Sequence, residues 1–301
     1  MSRPFTFGII TIQNTTWQKT LESWQTIESL GFDSVWIADH FVNPRHPETP
    51  WLDGWSLLAA LATRTTSIRI GTLVSPYPLR HPGVLARQAM TVDHISGGRL
   101  ELGLGAGTDY DPTWRMLNIG GEGPAERVRR FREYVEQVDS LLRNESTTMQ
   151  GQYHQLSGAT MSPGPLQKPR PPLTIAAAGP AMLKIVARYA DRWNTFIGTP
   201  QSMKEAAQTI HARNVMLDDA CAQLGRDPGE ITRSLLMLDR TTPKSPFSSI
   251  ADFEDIVGHF NEAGITDFIF YYPPDEWYSI GGAAQEETLR RVAAEVIPKL
   301  R

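Results

Sequence analysis

Short apolar runs alternate along the chain with longer amphipathic ones. Phe5 to Ile12 is β-branched and alternating, which predicts a first strand. Trp17, Leu21, Trp24, Ile27 and Leu30 follow at spacings of three and four, with Asn14-Thr15-Thr16 as an N-cap and Gly31 as the stop. Ser34 to Ala38 (SVWIA) is too short and too apolar for an amphipathic element and reads as a strand buried on both faces. A second helix is predicted over 54–64, and Ser67 to Gly107 then supplies strand, loop, helix and strand: Ile68 to Val74, Pro82 to Ser96, Arg99 to Leu104. These strand starts lie about 30 residues apart, the repeat of βα units in parallel folds.

The period continues after one interruption. Gly123 to Arg143 is a helix with Val128, Phe131, Val135, Val138 and Leu142 on one stripe. Residues 145–172 break the pattern with eight glycines and prolines, an insertion that predicts a small hairpin ahead of strand five. Strands then return at Leu173 to Ala178, Arg192 to Ile197, Ile231 to Asp239 and Thr266 to Tyr271. Helices fall at Pro180 to Ala190, Gln201 to Leu224, Ile250 to Ala263 and Gln285 to Leu300. Eight strands alternating with eight helices predict one α/β domain over 1–301, a closed (β/α)8 TIM barrel.

Composition narrows the partners. A formal net charge of −4 with no basic stripe sets aside a dedicated nucleic-acid binder, and no run is long and apolar enough for a membrane span or signal peptide, so a cytoplasmic protein acting on a small molecule is expected. The single cysteine, Cys221, sits among Leu217, Ala220 and Leu224 and reads as a buried spectator.

In such a barrel the chemistry lies just past the strand ends. Gln13 and Asn14, Asp39 to Phe41, Val74 to Tyr77, Gly105 to Asp109, Ala178 and Gly179, Gly198 and Thr199, Arg240, and Tyr271 and Tyr272 fall there. Carboxylates are sparse and neither HxH nor HExxH occurs, so no catalytic metal is expected. His40 is the strongest single candidate, an imidazole able to exchange a proton near neutral pH beside Asp39, which could fix its tautomer. His81 before Pro82 reads as a helix N-terminus contact, and His94, His154, His211 and His259 as solvated or packing residues. Gly103 to Gly107 (GLGAG) lacks the dinucleotide spacing; its glycines serve either close approach by a flat ligand or barrel curvature. Ala176 to Pro180 leads small residues into a helix whose first free amides, on Gly179 and Ala181, suit a phosphate.

Together, Trp36 to Phe41 (WIADHF), Arg69 to Thr72 (RIGT), Arg80 to Pro82, Asp93 to Arg99 (DHISGGR), Leu102 to Gly107 (LGLGAG), Gln150 to Tyr153 (QGQY) and Ala177 to Pro180 (AAGP) resemble the bacterial luciferase-like superfamily of flavin- and deazaflavin-dependent oxidoreductases. Asp39-His40-Phe41 resembles the branch that uses coenzyme F420 rather than FMN. The resemblance implies a homodimer whose deazaflavin lies at the barrel mouth, with His40 in proton transfer and Asp39 lining the pocket. It further implies a non-proline cis peptide at Leu73–Val74 behind the ring, and it brings Ser75, Gly105, Ala106, Gly107 and Thr108 to the ring's borders. Ala177, Ala178, Gly179, Pro180 and Ala181 would form the phosphate cradle.

One position departs. Several F420 dehydrogenases of this group carry a glutamate at the end of strand one and another after strand four; here Gln13 and Thr108-Asp109 stand there. Gln13 has no titratable proton, which speaks against sugar-phosphate or simple alcohol oxidation by that constellation. Three readings stay open: an F420-dependent oxidoreductase acting on an organic substrate, an FMN-dependent monooxygenase, and a flavin-binding barrel without turnover.

Overall fold

Each apolar run becomes one parallel strand of a closed barrel in the computed structural model, which describes residues 4–198, 202–237, 241–242, 244–272 and 283–301. The strands are β1 (Thr6–Thr11), β2 (Ser34–Ile37), β3 (Arg69–Thr72) with its short continuation β4 (Ser75–Pro76), and β5 (Leu100–Gly105). After the hairpin strands β6 (Ser146–Gln150) and β7 (Gln155–Thr160) come β8 (Leu173–Ala176), β9 (Arg192–Phe196), β10 (Thr232–Leu236) and β11 (Asp267–Tyr271). Strands pair in the order β3-β2-β1-β11-β10-β9-β8-β5, and β5 returns to β3 to close the ring.

The surrounding helices are α1 (Trp17–Ser29), α2 (Gly54–Ala62), α3 (Pro82–Ile95), α5 (Pro124–Arg143), α6 (Pro180–Tyr189), α7 (Met203–Gln223), α8 (Ile250–Glu262) and α9 (Ala283–Glu295), with the short α4 (Thr113–Leu117) and α10 (Ile297–Leu300) added. Local signals set several boundaries. Thr16 caps α1 by accepting the Lys19 amide, and Gly31 follows it at a positive φ of 78°. His81 caps α3 by accepting the Gly83 amide, the contact expected of it. The insertion is the antiparallel hairpin β6–β7, held to α5 by Glu133, which accepts the amides of Gln152, Tyr153 and His154.

Two differences from the sequence reading affect the site. Strand three does not run unbroken from Ile68 to Val74. It stops at Thr72, the Leu73–Val74 peptide is cis as expected, and β4 resumes against the far end of β5, with Ser75 opposite Leu104. Helix α4 was not foreseen, because five residues are too few to show a period. Arg240, Thr199 and the distal part of the segment after Tyr272, also expected at the mouth, lie outside the described residues.

The apolar interior forms two layers. One lies between barrel and helices; a smaller one inside the barrel joins Ile10, Trp36, Leu73 and Ile269, with Val74 and Tyr271 packed against it. Trp36 is wholly buried, and added Cβ atoms on Gly8 or Gly71 would run into it. The N-terminal end of the barrel is polar: Arg192 ion-pairs with Asp267 at 2.6 Å and Glu101 at 3.4 Å. Burial works against that guanidinium, but the two carboxylates outweigh it and hold Arg192 charged. Placement at this end marks it as structural. Cys221 is buried on α7, and burial raises its thiol pKa.

Candidate active site

His40 stands just past β2 at the C-terminal mouth, with its side chain 28% exposed. Its Nδ1 lies 2.7 Å from Oδ2 of Asp111, a residue 71 positions away on the loop between β5 and α4. The other Asp111 oxygen accepts the Thr113 amide at 2.8 Å. Burial pushes the Asp111 carboxyl up, yet the bonds from His40 and Thr113 prevail and hold it below the usual carboxylate range. Trp51 completes the setting, donating its Nε1 to the His40 carbonyl at 2.8 Å with its ring edge-on to the imidazole.

Asp39 does not fix the His40 tautomer. Neighbours in extended chain point to opposite sides, and Asp39 turns away from the mouth into a buried pair with Arg80, whose Nη2 reaches Oδ1 at 3.0 Å. Trp55 Nε1 donates both to Asp39 at 3.1 Å and to Ser75 Oγ at 3.0 Å, and Ser75 in turn donates to Thr72 Oγ1. Asp39 and Ser75 therefore tie β2, α2 and the β3–β4 break together from behind. Their side chains are buried rather than open to a ligand.

Gln13 is also buried. Its amide nitrogen donates to the Ala38 carbonyl, and its Oε1 has no partner among the described residues. The loop after β5, with α4 and the start of α5, brings Ala106, Asp109, Asp111, Trp114 and Arg127 around a cleft of about 490 Å³. Asp109 faces solvent and pairs with Arg127, so it too is engaged. Of the aromatic residues expected to shape a pocket, Trp51 and Trp114 are half-buried, Trp55 is buried in the Asp39 cluster, and Tyr110 is 72% exposed.

The glycines of GLGAG make room for neighbouring protein atoms. A Cβ on Gly103 would strike the Thr72 carbonyl, one on Gly105 the Val74 side chain, and one on Gly107 would lie 2.9 Å from the Trp114 ring. They let β5 fit beneath the break in its neighbour. The turn into α6 answers the expectation better. Ala178, Gly179, Pro180 and Ala181 are exposed, Gly179 has open space before its α-carbon, and among the described residues the Gly179 and Ala181 amides find no acceptor. Such an N-terminus suits an anion. Among the described residues no three His, Cys, Asp or Glu side chains stand close enough to hold a metal, and no helix is long and apolar enough to cross a membrane.

The chain is similar to an F420-dependent glucose-6-phosphate dehydrogenase of Amycolatopsis mediterranei, 26% identical over 91% of this chain and 92% of that one. It is likewise similar to a 5,10-methylenetetrahydromethanopterin reductase of Methanolobus tindarius, 28% identical over 92% of this chain and 78% of the other. Among solved structures, an F420-dependent secondary alcohol dehydrogenase bound to an F420-acetone adduct superposes with a TM-score of 0.82 at 19% identity, covering 99% of this chain and all of that one. The long-chain alkane monooxygenase LadA superposes at 0.75 with 14% identity, covering 100% of this chain and 92% of its own, so the fold alone is shared there. The family described as luciferase-like monooxygenase matches residues 3–237, and the chain belongs to that family.

Proposed function

We propose that this protein is an F420-dependent oxidoreductase that moves a hydride between the deazaflavin C5 and a small organic substrate, with His40 exchanging the accompanying proton. The observation that carries the reading is His40 itself: a part-exposed imidazole at the barrel mouth, engaged at Nδ1 and with no partner at Nε2 among the described residues. The named activities of the relatives support the choice of cofactor.

The residues present fit such a group. The free amides of Gly179 and Ala181 at the start of α6, beside open space, match a phosphodiester. Leu73 and Val74 at the kink, with Ala106 and Thr108 after β5, offer a largely apolar wall for a planar ring. When bound, the deazaflavin supplies the two-electron chemistry. The chain's own part is to hold, orient and protonate. The cis bond lies beside the apolar layer of Ile10, Trp36 and Ile269, which gives the wall a packed backing. Half-buried Trp51, edge-on to the ring, restricts water around His40, and the imidazole gives or takes one proton per turnover.

Titration of the purified apo-protein with F420 and with FMN in parallel tests the reading. Micromolar or tighter binding of F420 with no FMN affinity is expected, followed by F420-coupled turnover that His40→Gln loses while cofactor binding persists. Binding of FMN alone would transfer the reading to an FMN-dependent monooxygenase. Binding of F420 with no turnover of any alcohol, carbonyl or alkene panel member would leave a cofactor-binding barrel.

A further inference from the structure

We propose that Asp111 is a positioning residue for His40: it fixes the neutral imidazole as the Nδ1–H tautomer and makes Nε2 the atom that exchanges the proton. The inference rests on the reading of His40 given above and extends it to a residue that the sequence reading did not place in the site.

An ionised carboxylate only accepts hydrogen bonds. Asp111 stays ionised, with its side chain 1% exposed, because Oδ2 faces His40 Nδ1 at 2.7 Å while Oδ1 accepts the Thr113 amide at 2.8 Å. The hydrogen between Asp111 and His40 therefore belongs to Nδ1, and the lone pair of the neutral ring belongs to Nε2. Trp51 holds the His40 carbonyl at 2.8 Å and stands edge-on 6.2 Å from the imidazole centroid. Among the described residues the two carboxylates nearest in sequence to His40 and Asp111 are engaged elsewhere, since Asp39 faces Arg80 and Asp109 faces Arg127.

The chemistry balances simply. When His40 takes a proton, an N–H bond forms at Nε2 as an O–H or N–H bond of the substrate breaks. The resulting imidazolium is paired with Asp111, which remains a carboxylate, as in the aspartate–histidine pair of serine hydrolases. Run backwards, Nε2–H supplies the proton. Local sequence explains how the carboxylate is set: Asp111-Pro112-Thr113 bends over the first turn of α4, so the Thr113 amide locks one oxygen and aims the other at β2.

Asp111→Asn is the informative substitution, because it changes the donor pattern and spares the loop. The Asn carbonyl still accepts the Thr113 amide, while its NH2 faces Nδ1 and forces the ring hydrogen onto Nε2. In full-length protein labelled with ¹⁵N-histidine and assigned with His40→Gln, the neutral ring of wild-type His40 should show a protonated Nδ1 and a bare Nε2. The variant should show the reverse. F420-coupled kcat should fall about 10²–10⁴-fold, with F420 Kd within about threefold of wild type.

A protonated Nε2 in the wild type overturns the inference without any variant having to fold. So does an inverted tautomer accompanied by unchanged kcat. If the wild type turns over no F420 substrate, the functional reading fails and the proton-exchange half of the inference fails with it; the tautomer half is then decided by the NMR signature alone.

Discussion

Arg80 grips both carboxylate oxygens of Asp39, and the pair is nearly closed off from water, with side-chain exposures of 14% and 2%. It joins the end of β2 to the start of α3 directly behind the residue that faces the mouth. Burial works against the Arg80 charge, but Asp39 outweighs it and raises the guanidinium pKa. The pair's position makes it a brace for His40.

Breaking the pair from one side should cost more than removing it. Arg80→Met leaves a buried carboxylate without its partner and should lower stability by about 3–5 kcal/mol. The double variant Arg80→Met/Asp39→Asn should lose less than the two single losses added together. Urea denaturation of all four proteins measures the coupling. Additivity within about 0.5 kcal/mol would mean that the contact has no energetic weight.

The barrel was legible because its signal repeats: eight short apolar runs, each followed by an amphipathic one, need no tertiary information. The break after Thr72 was legible only through resemblance, since nothing in the composition of Leu73–Val74–Ser75 distinguishes a kink from a continuous strand. His40 was found by its place at a strand end. Its partner was not, because 71 residues separate them and Asp111 sits in a stretch with no period. The available hint was Asp-Pro-Thr, a helix-start signature at residues 111–113, whereas the sequence points first to Asp39, the carboxylate adjacent to His40. The glycines left two readings open for a similar reason. Gly103 and Gly105 are required by the Thr72 carbonyl and the Val74 side chain across the sheet, neighbours that only folding brings near.

That crowding yields a sharp contrast. At Gly103 the atom in the way is backbone, which cannot swing aside, so Gly103→Ala should destabilise by about 3 kcal/mol or more. At Gly179 nothing stands within 4 Å and φ is −96°, an ordinary value for any residue, so Gly179→Ala should change stability by about 0.5 kcal/mol or less. Denaturant midpoints at equal m-value give both numbers. Equal losses at the two sites would show that β5 has more freedom than its packing implies.

Acid should weaken the site's frame before it melts the barrel. A carboxyl whose folded pKa lies below its unfolded value binds fewer protons in the native state at intermediate pH. Its contribution is complete above the ordinary Asp value of about 3.9 and disappears as pH falls through the lower folded value. Asp111 is such a group. Glu28 is another: burial raises its pKa, but the amides of Ser67, Ile68 and Thr66 prevail and lower it. Between pH 5 and pH 2, a range taken at roughly two units below and one above the ordinary value, Asp111→Asn should therefore show a shallower loss of stability than wild type. Parallel slopes would assign the acid sensitivity elsewhere.

The start of α6 separates anion binding from helix stability. An acidic residue in the first turn of a helix is favourable to the fold by about 0.3–1 kcal/mol, since it faces the positive end of the dipole. Ala181 is exposed in that turn, beside the amides proposed to hold a phosphate. Ala181→Asp should therefore leave the thermal midpoint unchanged or slightly raised while placing a negative charge where the cofactor's own charge must sit. F420 affinity should drop by about tenfold or more, a loss of about 1.4 kcal/mol, and the drop should shrink as salt screens the repulsion. Ala181→Asn, similar in size and uncharged, should lose much less. Unchanged F420 affinity in the aspartate variant, measured by fluorescence titration at low salt, would remove the phosphate from this turn and require another seat for it at the mouth.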